Sequence, residues 1–113
     1  MTAKKPSGPR VITGTSYNRN VAVDGVELKP TESLQVIAYS PDGFNWGYGG
    51  SGPAQLALAI LLLYVDKDEA TRLVQDFKFD IVAKLPNDFV LDGTTIVDWI
   101  EKHKKGGKRG QAK

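Results

Sequence analysis

The chain has 113 residues, 41% of them hydrophobic and 25% charged, which is enough for one domain with a single core and too few for two. It contains no cysteine, which excludes disulfide scaffolds, zinc ribbons and thiol chemistry. Its net charge of +2 divides into two basic ends and an acidic interior, residues 11–100, with 12 acidic and 6 basic residues.

Both ends of the chain are rich in lysine and glycine and poor in apolar residues. The sequence therefore predicts basic flexible tails over residues 1–10 and 105–113 around a single α+β domain over residues 11–104, because such tails bury too little apolar surface to become ordered. Residues 1–10 lack the apolar stretch of a secretory signal, and the longest apolar run is about half of a membrane span. We expect a cytoplasmic protein with no membrane partner.

The first half of the domain carries patterns of antiparallel strands. Val11–Thr15 alternates weakly, and Asp24-Gly25 separates two short apolar runs as in a type I′ hairpin. Alternation over residues 33–39 predicts another strand. The sequence SPDG at 40–43 predicts a type I turn, and residues 44–46 are expected to form a short returning strand.

A buried helix is predicted to follow. Pro53 suits the first helical position, with Gly52 or Ser51 as the N-cap. The segment AQLALAILLLYV is apolar on every side except at Gln55, so it is expected to pass through the middle of the fold.

Two amphipathic helices and a short strand complete the predicted order. The first helix, over residues 67–85, ends at Pro86 and has an apolar stripe made of Ala70, Leu73, Val74, Phe77, Ile81 and Leu85. The strand falls in DFVLDG, and the last helix follows a capping box of Thr95 and Asp98. The predicted class is α+β, a small antiparallel sheet of about four to five strands packed against the buried central helix and the two amphipathic helices.

Four glycines stand within six residues directly before the buried helix. Gly47, Gly49 and Gly52 match the dinucleotide-binding pattern G-x-G-x-x-G, but residues 67–85 are helical where a Rossmann unit needs a parallel strand. Pro53 and Ala54 occupy the Lys and Ser or Thr positions of a Walker A loop. Both nucleotide folds are therefore excluded, although glycines before a helix still favour anion binding by backbone N–H groups.

This loop is the candidate ligand-binding site, and the ligand expected there carries a phosphate, as a nucleotide or a nucleotide-like signal does. Two aromatic residues beside the glycines suit stacking on a base or sugar, and a serine offers a further hydrogen bond. The alternative is that the glycines serve only a sharp turn and close packing. The proposed site comprises Trp46, Gly47, Tyr48, Gly49, Gly50, Ser51, Gly52 and Gln55.

Neither catalysis nor a metal or other cofactor is expected. Ser51 lies in a poor version of the nucleophile pattern G-x-S-x-G, and His103, the one histidine, lies beside the basic end. The acids at 66–69 are explained by the start of a helix. Nonspecific binding of nucleic acid is a further alternative function, through a basic tail comprising Lys102, Lys104, Lys105, Lys108 and Arg109.

The sequence SPDGFNWGYGGSGPAQLALAILL, residues 40–62, resembles the signature of a family of small bacterial proteins carried on plasmids, prophages and integrative elements. The resemblance continues more faintly through Phe77 and Lys78 to Trp99 and Ile100. That family is a domain of unknown function, so the resemblance brings no catalytic residue. It implies a mobile genetic element as the setting, and either ligand binding or the inhibition of a host protein through a protein surface as the function.

Overall fold

The computed structural model describes residues 10–103. The predicted tail over residues 105–113, and all of the tail over residues 1–10 except Arg10, lie outside this range.

One antiparallel sheet is formed by four strands, β1 (Val11–Thr15), β2 (Asn20–Val23), β3 (Val26–Glu27) and β4 (Phe89–Asp92), in the order β3-β2-β1-β4. The hairpin predicted at Asp24-Gly25 is confirmed, and both residues have the positive φ that a type I′ turn needs, 51° and 84°. Strand β1 lies between β2 and β4, so residues far apart in sequence close the sheet.

Two predicted strands are wrong. Residues 31–36 form a short helix, α1 (Thr31–Val36), where a strand was predicted over 33–39. Its polar residue Ser33 is buried and donates to the Pro30 carbonyl at 3.0 Å, an interaction within one helical turn. Residues 44–46 form a loop that buries Phe44 and Trp46 in the core.

Three longer helices follow: α2 (Ser51–Leu62), α3 (Lys67–Asp80) and α4 (Gly93–Lys102). Helix α2 begins two residues before Pro53, with Gly50 as its N-cap. Helix α3 ends at Asp80 and continues as a 3₁₀ turn, Val82–Lys84, so the predicted stripe extends beyond the helix.

The capping box predicted for α4 is wrong, because the N-cap is Asp92, whose carboxylate accepts from the Thr94 N–H at 2.9 Å. Gly93, the first residue of the helix, packs on the Arg10 backbone with no room for a Cβ. None of the helices within residues 10–103 has the length and apolar character needed to cross a membrane.

The core confirms the predicted α+β class and the burial of α2. Every α2 residue from Gly52 to Leu61 is buried. One apolar cluster joins it to the inward-facing residues of the sheet, to α3 and to α4. The start of α2 and the end of α3 are thereby brought together with the glycine loop between them.

Candidate functional site

Trp46 fixes the start of the glycine loop in the core. Its side chain is 3% exposed, its indole N–H donates to the Asn87 carbonyl at 2.9 Å, and Phe89 meets it edge-on with ring centroids 5.0 Å apart. The Arg19 guanidinium lies 4.8 Å from the centroid of the Trp46 ring. Trp46 is therefore an anchor with no free face for a ligand, and it leaves the candidate site.

Gly47 turns the chain and ties it to the segment after α3. Its φ is 87°, a conformation that disfavours a side chain, and its N–H donates to the Val82 carbonyl at 3.1 Å. A Cβ on Gly47 would also lie 3.3 Å from the Leu85 carbonyl oxygen. The role of Gly47 is thus conformational.

Gly49 and Gly50 lie directly beneath two aromatic rings. A Cβ on Gly49 would lie 2.8 Å from Phe79 Cε1, and one on Gly50 would lie 2.5 Å from Tyr48 Cε2. Tyr48 is nevertheless 50% exposed and Phe79 54% exposed. We call Tyr48, Gly49, Gly50 and Phe79 the loop platform, since the glycines allow both rings to lie against the backbone while about half of each side chain faces solvent.

Gln55 is fully buried and belongs to the scaffold. Its Oε1 accepts from the Ser40 N–H at 2.9 Å, and its Nε2 donates to Ser33 Oγ at 2.9 Å and to the Ile37 carbonyl at 3.0 Å. Gln55 therefore joins α2 to α1 and to the chain that follows α1. No polar atom of its amide faces a ligand, so it too leaves the candidate site.

The N-terminus of α2 is the least satisfied part of the loop. Within residues 10–103, the N–H groups of Gly49, Gly50, Ser51 and Gly52 have no acceptor, and the first helical N–H that is bonded is that of Ala54. Ser51 is exposed, whereas Gly52 is buried against Asn45.

The other two long helices differ from α2 at this end. Asp66 accepts from the Glu69 N–H at the start of α3, and Asp92 caps α4 in the same way. Helix α2 has no side-chain cap and no acid in its first turn. Because a helix N-terminus carries roughly half a positive charge, this end of α2 favours an anion.

Lys78 lies beside the loop platform and was missed as a site residue by the sequence. It is 7% exposed, and its Nζ lies 4.1 Å from the centroid of the Phe79 ring. No acceptor or carboxylate within the described chain pairs with this ammonium. Among these residues, Tyr64 Oη is the one side-chain N or O atom that is both fully buried and without a hydrogen-bond partner. Lys78 Nζ also lacks a partner, so it is not fully buried and retains access to solvent.

A signal for Lys78 and Phe79 was present in the pattern of α3. Lys78 stands four residues after Val74 on the buried stripe, whereas Phe79 stands on the polar side of the helix. A charged residue on the apolar side next to an aromatic residue on the polar side is an exchange of the usual positions. Departures of this kind from the expected pattern occur at functional or strained sites.

The structure also has a cavity of about 200 Å³ between the β1–β2 turn and residues 42–44. Its walls include Arg19, Glu27 and Asp42, and none of residues 46–52 lines it. The glycine loop is thus separate from this cavity. Of the predicted basic tail, Lys102 is exposed in the last turn of α4, and Lys104, Lys105, Lys108 and Arg109 lie outside the described residues.

The model of a family of unknown function, DUF6166, matches residues 7–102. No curated protein and no solved structure matches the chain.

Proposed function

Because the chain belongs to the DUF6166 family, whose function is unknown, we propose its role from the site: a non-catalytic binding protein that holds a phosphate-bearing ligand at the glycine loop. The observation that carries the proposal is the uncapped N-terminus of α2, where four consecutive N–H groups, those of residues 49–52, have no acceptor within the described chain. A phosphate group supplies the acceptors and the negative charge that this helix end lacks.

The proposed contacts come from three parts of the loop. Gly49 and Gly50 offer N–H groups beside the rings of the loop platform, and Ser51 adds an exposed hydroxyl. Trp46 and Gln55 support the loop from below through their buried hydrogen bonds. This arrangement needs no reacting group, which is why the role proposed is binding without turnover.

The setting proposed is a mobile genetic element. It rests on the resemblance of residues 40–62 to small proteins of plasmids, prophages and integrative elements. In that setting, a binding site without catalysis serves to sequester a nucleotide-like signal and so to counter a host response.

A second candidate function is inhibition of a host protein through a protein surface, with the glycines purely structural. The observation that favours it is the exposure of Tyr48 and Phe79, since half-exposed aromatic side chains are enriched at the centres of protein interfaces. Each of the four loop glycines also has a conformational or packing reason of its own.

The test that separates the two candidates measures the melting temperature with a panel of nucleoside mono-, di- and triphosphates. A ligand at 100 times its Kd stabilises the native state by about 2.7 kcal/mol, which corresponds to a rise on the order of 10 °C for a domain of this size. A flat panel contradicts the ligand proposal and favours the interface.

Ser51→Asp and Ser51→Asn form the matched pair of variants for this test. The aspartate adds a carboxylate at the first position of α2, which stabilises the free protein by about 0.3–1 kcal/mol and repels a phosphate. The asparagine changes the side chain without the charge. We expect the aspartate variant to lose the ligand-induced rise and the asparagine variant to keep it, and an equal rise in both would place the ligand elsewhere.

A further inference from the structure

We propose that Lys78 and Phe79 complete the site: Lys78 supplies the charge that neutralises the phosphate, and Phe79 together with Tyr48 carries a planar base. The ligand class is then a nucleotide, as opposed to inorganic phosphate or a phosphorylated sugar. This inference rests on the proposed function, because it assigns residues and a ligand class to the same site.

The first argument is the state of the Lys78 ammonium. A lysine that is only 7% exposed usually has a carboxylate partner, and the part of Lys78 that remains accessible includes its ammonium, so an anion can reach it. Within residues 10–103, Lys78 has neither an ion pair nor a hydrogen bond, and its Nζ is held over Phe79 alone. An anion bound at the loop would complete this environment.

The second argument is position. Phe79 contacts Gly49, whose N–H is one of the free donors, so a single ring separates the Lys78 ammonium from the N-terminus of α2. Phe79 thus borders both the charged amine and the loop that leads into α2. Two sources of positive potential that lie on either side of one aromatic ring both favour an anionic group near that ring.

The third argument concerns the two rings. Tyr48 lies over Gly50 and Phe79 over Gly49, and each is about half exposed. Exposed aromatic side chains bind nucleic-acid bases by stacking, with little preference among the bases. Lys78 Nζ lies over one face of Phe79, so the exposed remainder of Phe79 and the ring of Tyr48 are the surfaces left for a base. Rings flanking free N–H groups suit a ligand that has a base attached to a phosphate.

The experiment compares three probes by isothermal titration: adenosine diphosphate, inorganic pyrophosphate and adenosine. The wild-type chain is expected to bind the diphosphate nucleotide more tightly than either part. Lys78→Met keeps the length and apolar stem of the side chain and is expected to weaken the nucleotide by about tenfold or more, as for the loss of a charged hydrogen bond. Phe79→Leu is expected to weaken the nucleotide by about fivefold or more and to leave pyrophosphate unchanged.

Lys67→Met is the control, since Lys67 is exposed at the opposite end of α3 and loses the same charge. It is expected to bind the nucleotide like the wild type, and unfolding curves of all variants establish that they are folded. If the nucleotide binds the wild type and Lys78→Met with equal affinity, this inference is overturned and the proposed function stands. If neither phosphate probe binds the wild type, both fall.

Discussion

The buried amide of Gln55 offers the sharpest test of the scaffold beneath the loop. Replacing it by leucine, which has a similar volume, leaves the Ser40 N–H and the Ile37 carbonyl without their partner. Ser33 Oγ still donates to the Pro30 carbonyl, so it is not orphaned. The substitution therefore leaves two part-buried backbone groups unpaired in the segment that follows α1.

The expected loss follows from those two groups. Each unpaired buried donor or acceptor costs about 1–3 kcal/mol, and the added apolar burial of leucine offsets about 1 kcal/mol. We expect Gln55→Leu to lower the free energy of unfolding by about 1–5 kcal/mol, a large part of the 5–15 kcal/mol that is typical of a domain. The melting temperature falls by something on the order of 10–20 °C.

Urea denaturation followed by circular dichroism and tryptophan fluorescence measures the change. Gln75→Leu is the matched control, because Gln75 is exposed on α3 and undergoes the same substitution. Ser33→Ala is expected to cost less in the Gln55→Leu background than alone, since the two side chains share a hydrogen bond. A loss for Gln55→Leu within about 0.5 kcal/mol of the Gln75→Leu value would refute the scaffold role.

Three further predictions concern stability, each measured by urea denaturation. Burial raises the pKa of Tyr64, an effect that the nearby Arg10 backbone partly opposes. Because the folded chain holds this proton more tightly than the unfolded chain, the free energy of unfolding is highest below a pH of about 10 and falls as the pH rises further. Tyr64→Phe, which removes a buried hydroxyl without a partner in the described chain, is expected to match or exceed the wild type at neutral pH and to show a shallower alkaline loss; an identical alkaline profile would contradict this. Gly14→Ala is expected to cost about 1–3 kcal/mol, because its Cβ would overlap the Phe89 ring, and a neutral result would mean that the ring is free to move. Asp92→Ala removes the N-cap of α4 and is expected to cost about 1 kcal/mol, whereas no change would show that the cap is replaced by water.

Features of the fold with a local cause were predictable from the sequence. Asp24-Gly25 determines its hairpin because few other residues accept two consecutive positive φ angles. Helix α2 was predictable because a long segment that is apolar on all sides has no place except the interior. The α+β class follows from these elements and from β4.

Features with a distant cause were not predictable in the same way. Residues 33–39 alternate like a strand, yet Ser33 is buried because Gln55, 22 residues later, donates to it. A six-residue helix is too short for its periodicity to outweigh that alternation.

The sequence indicated the glycine loop as a candidate site but not the side chains that surround it. The glycines were found at once, but the reason for Gly49 is Phe79, which lies 30 residues later and contacts it only in the folded chain. Trp46 and Gln55 have the residue types of ligand contacts, and their burial depends on partners such as Asn87 and Ser33. Residue type indicates which chemistry is possible, whereas tertiary packing decides which side chains face solvent.

The pairing of β1 with β4 has a consequence for biosynthesis. Strand β1 is synthesised about 75 residues before β4, the second strand with which it pairs. At a synthesis rate of about 5–20 residues per second, β1 waits for several seconds without this partner. For part of that interval α2 has been made but lacks α3, and its apolar surface is accessible to chaperones and to other nascent chains. A chain truncated before residue 92 is therefore expected to aggregate. The measurement is the fraction of labelled chain that becomes insoluble when translation is stalled at successive codons.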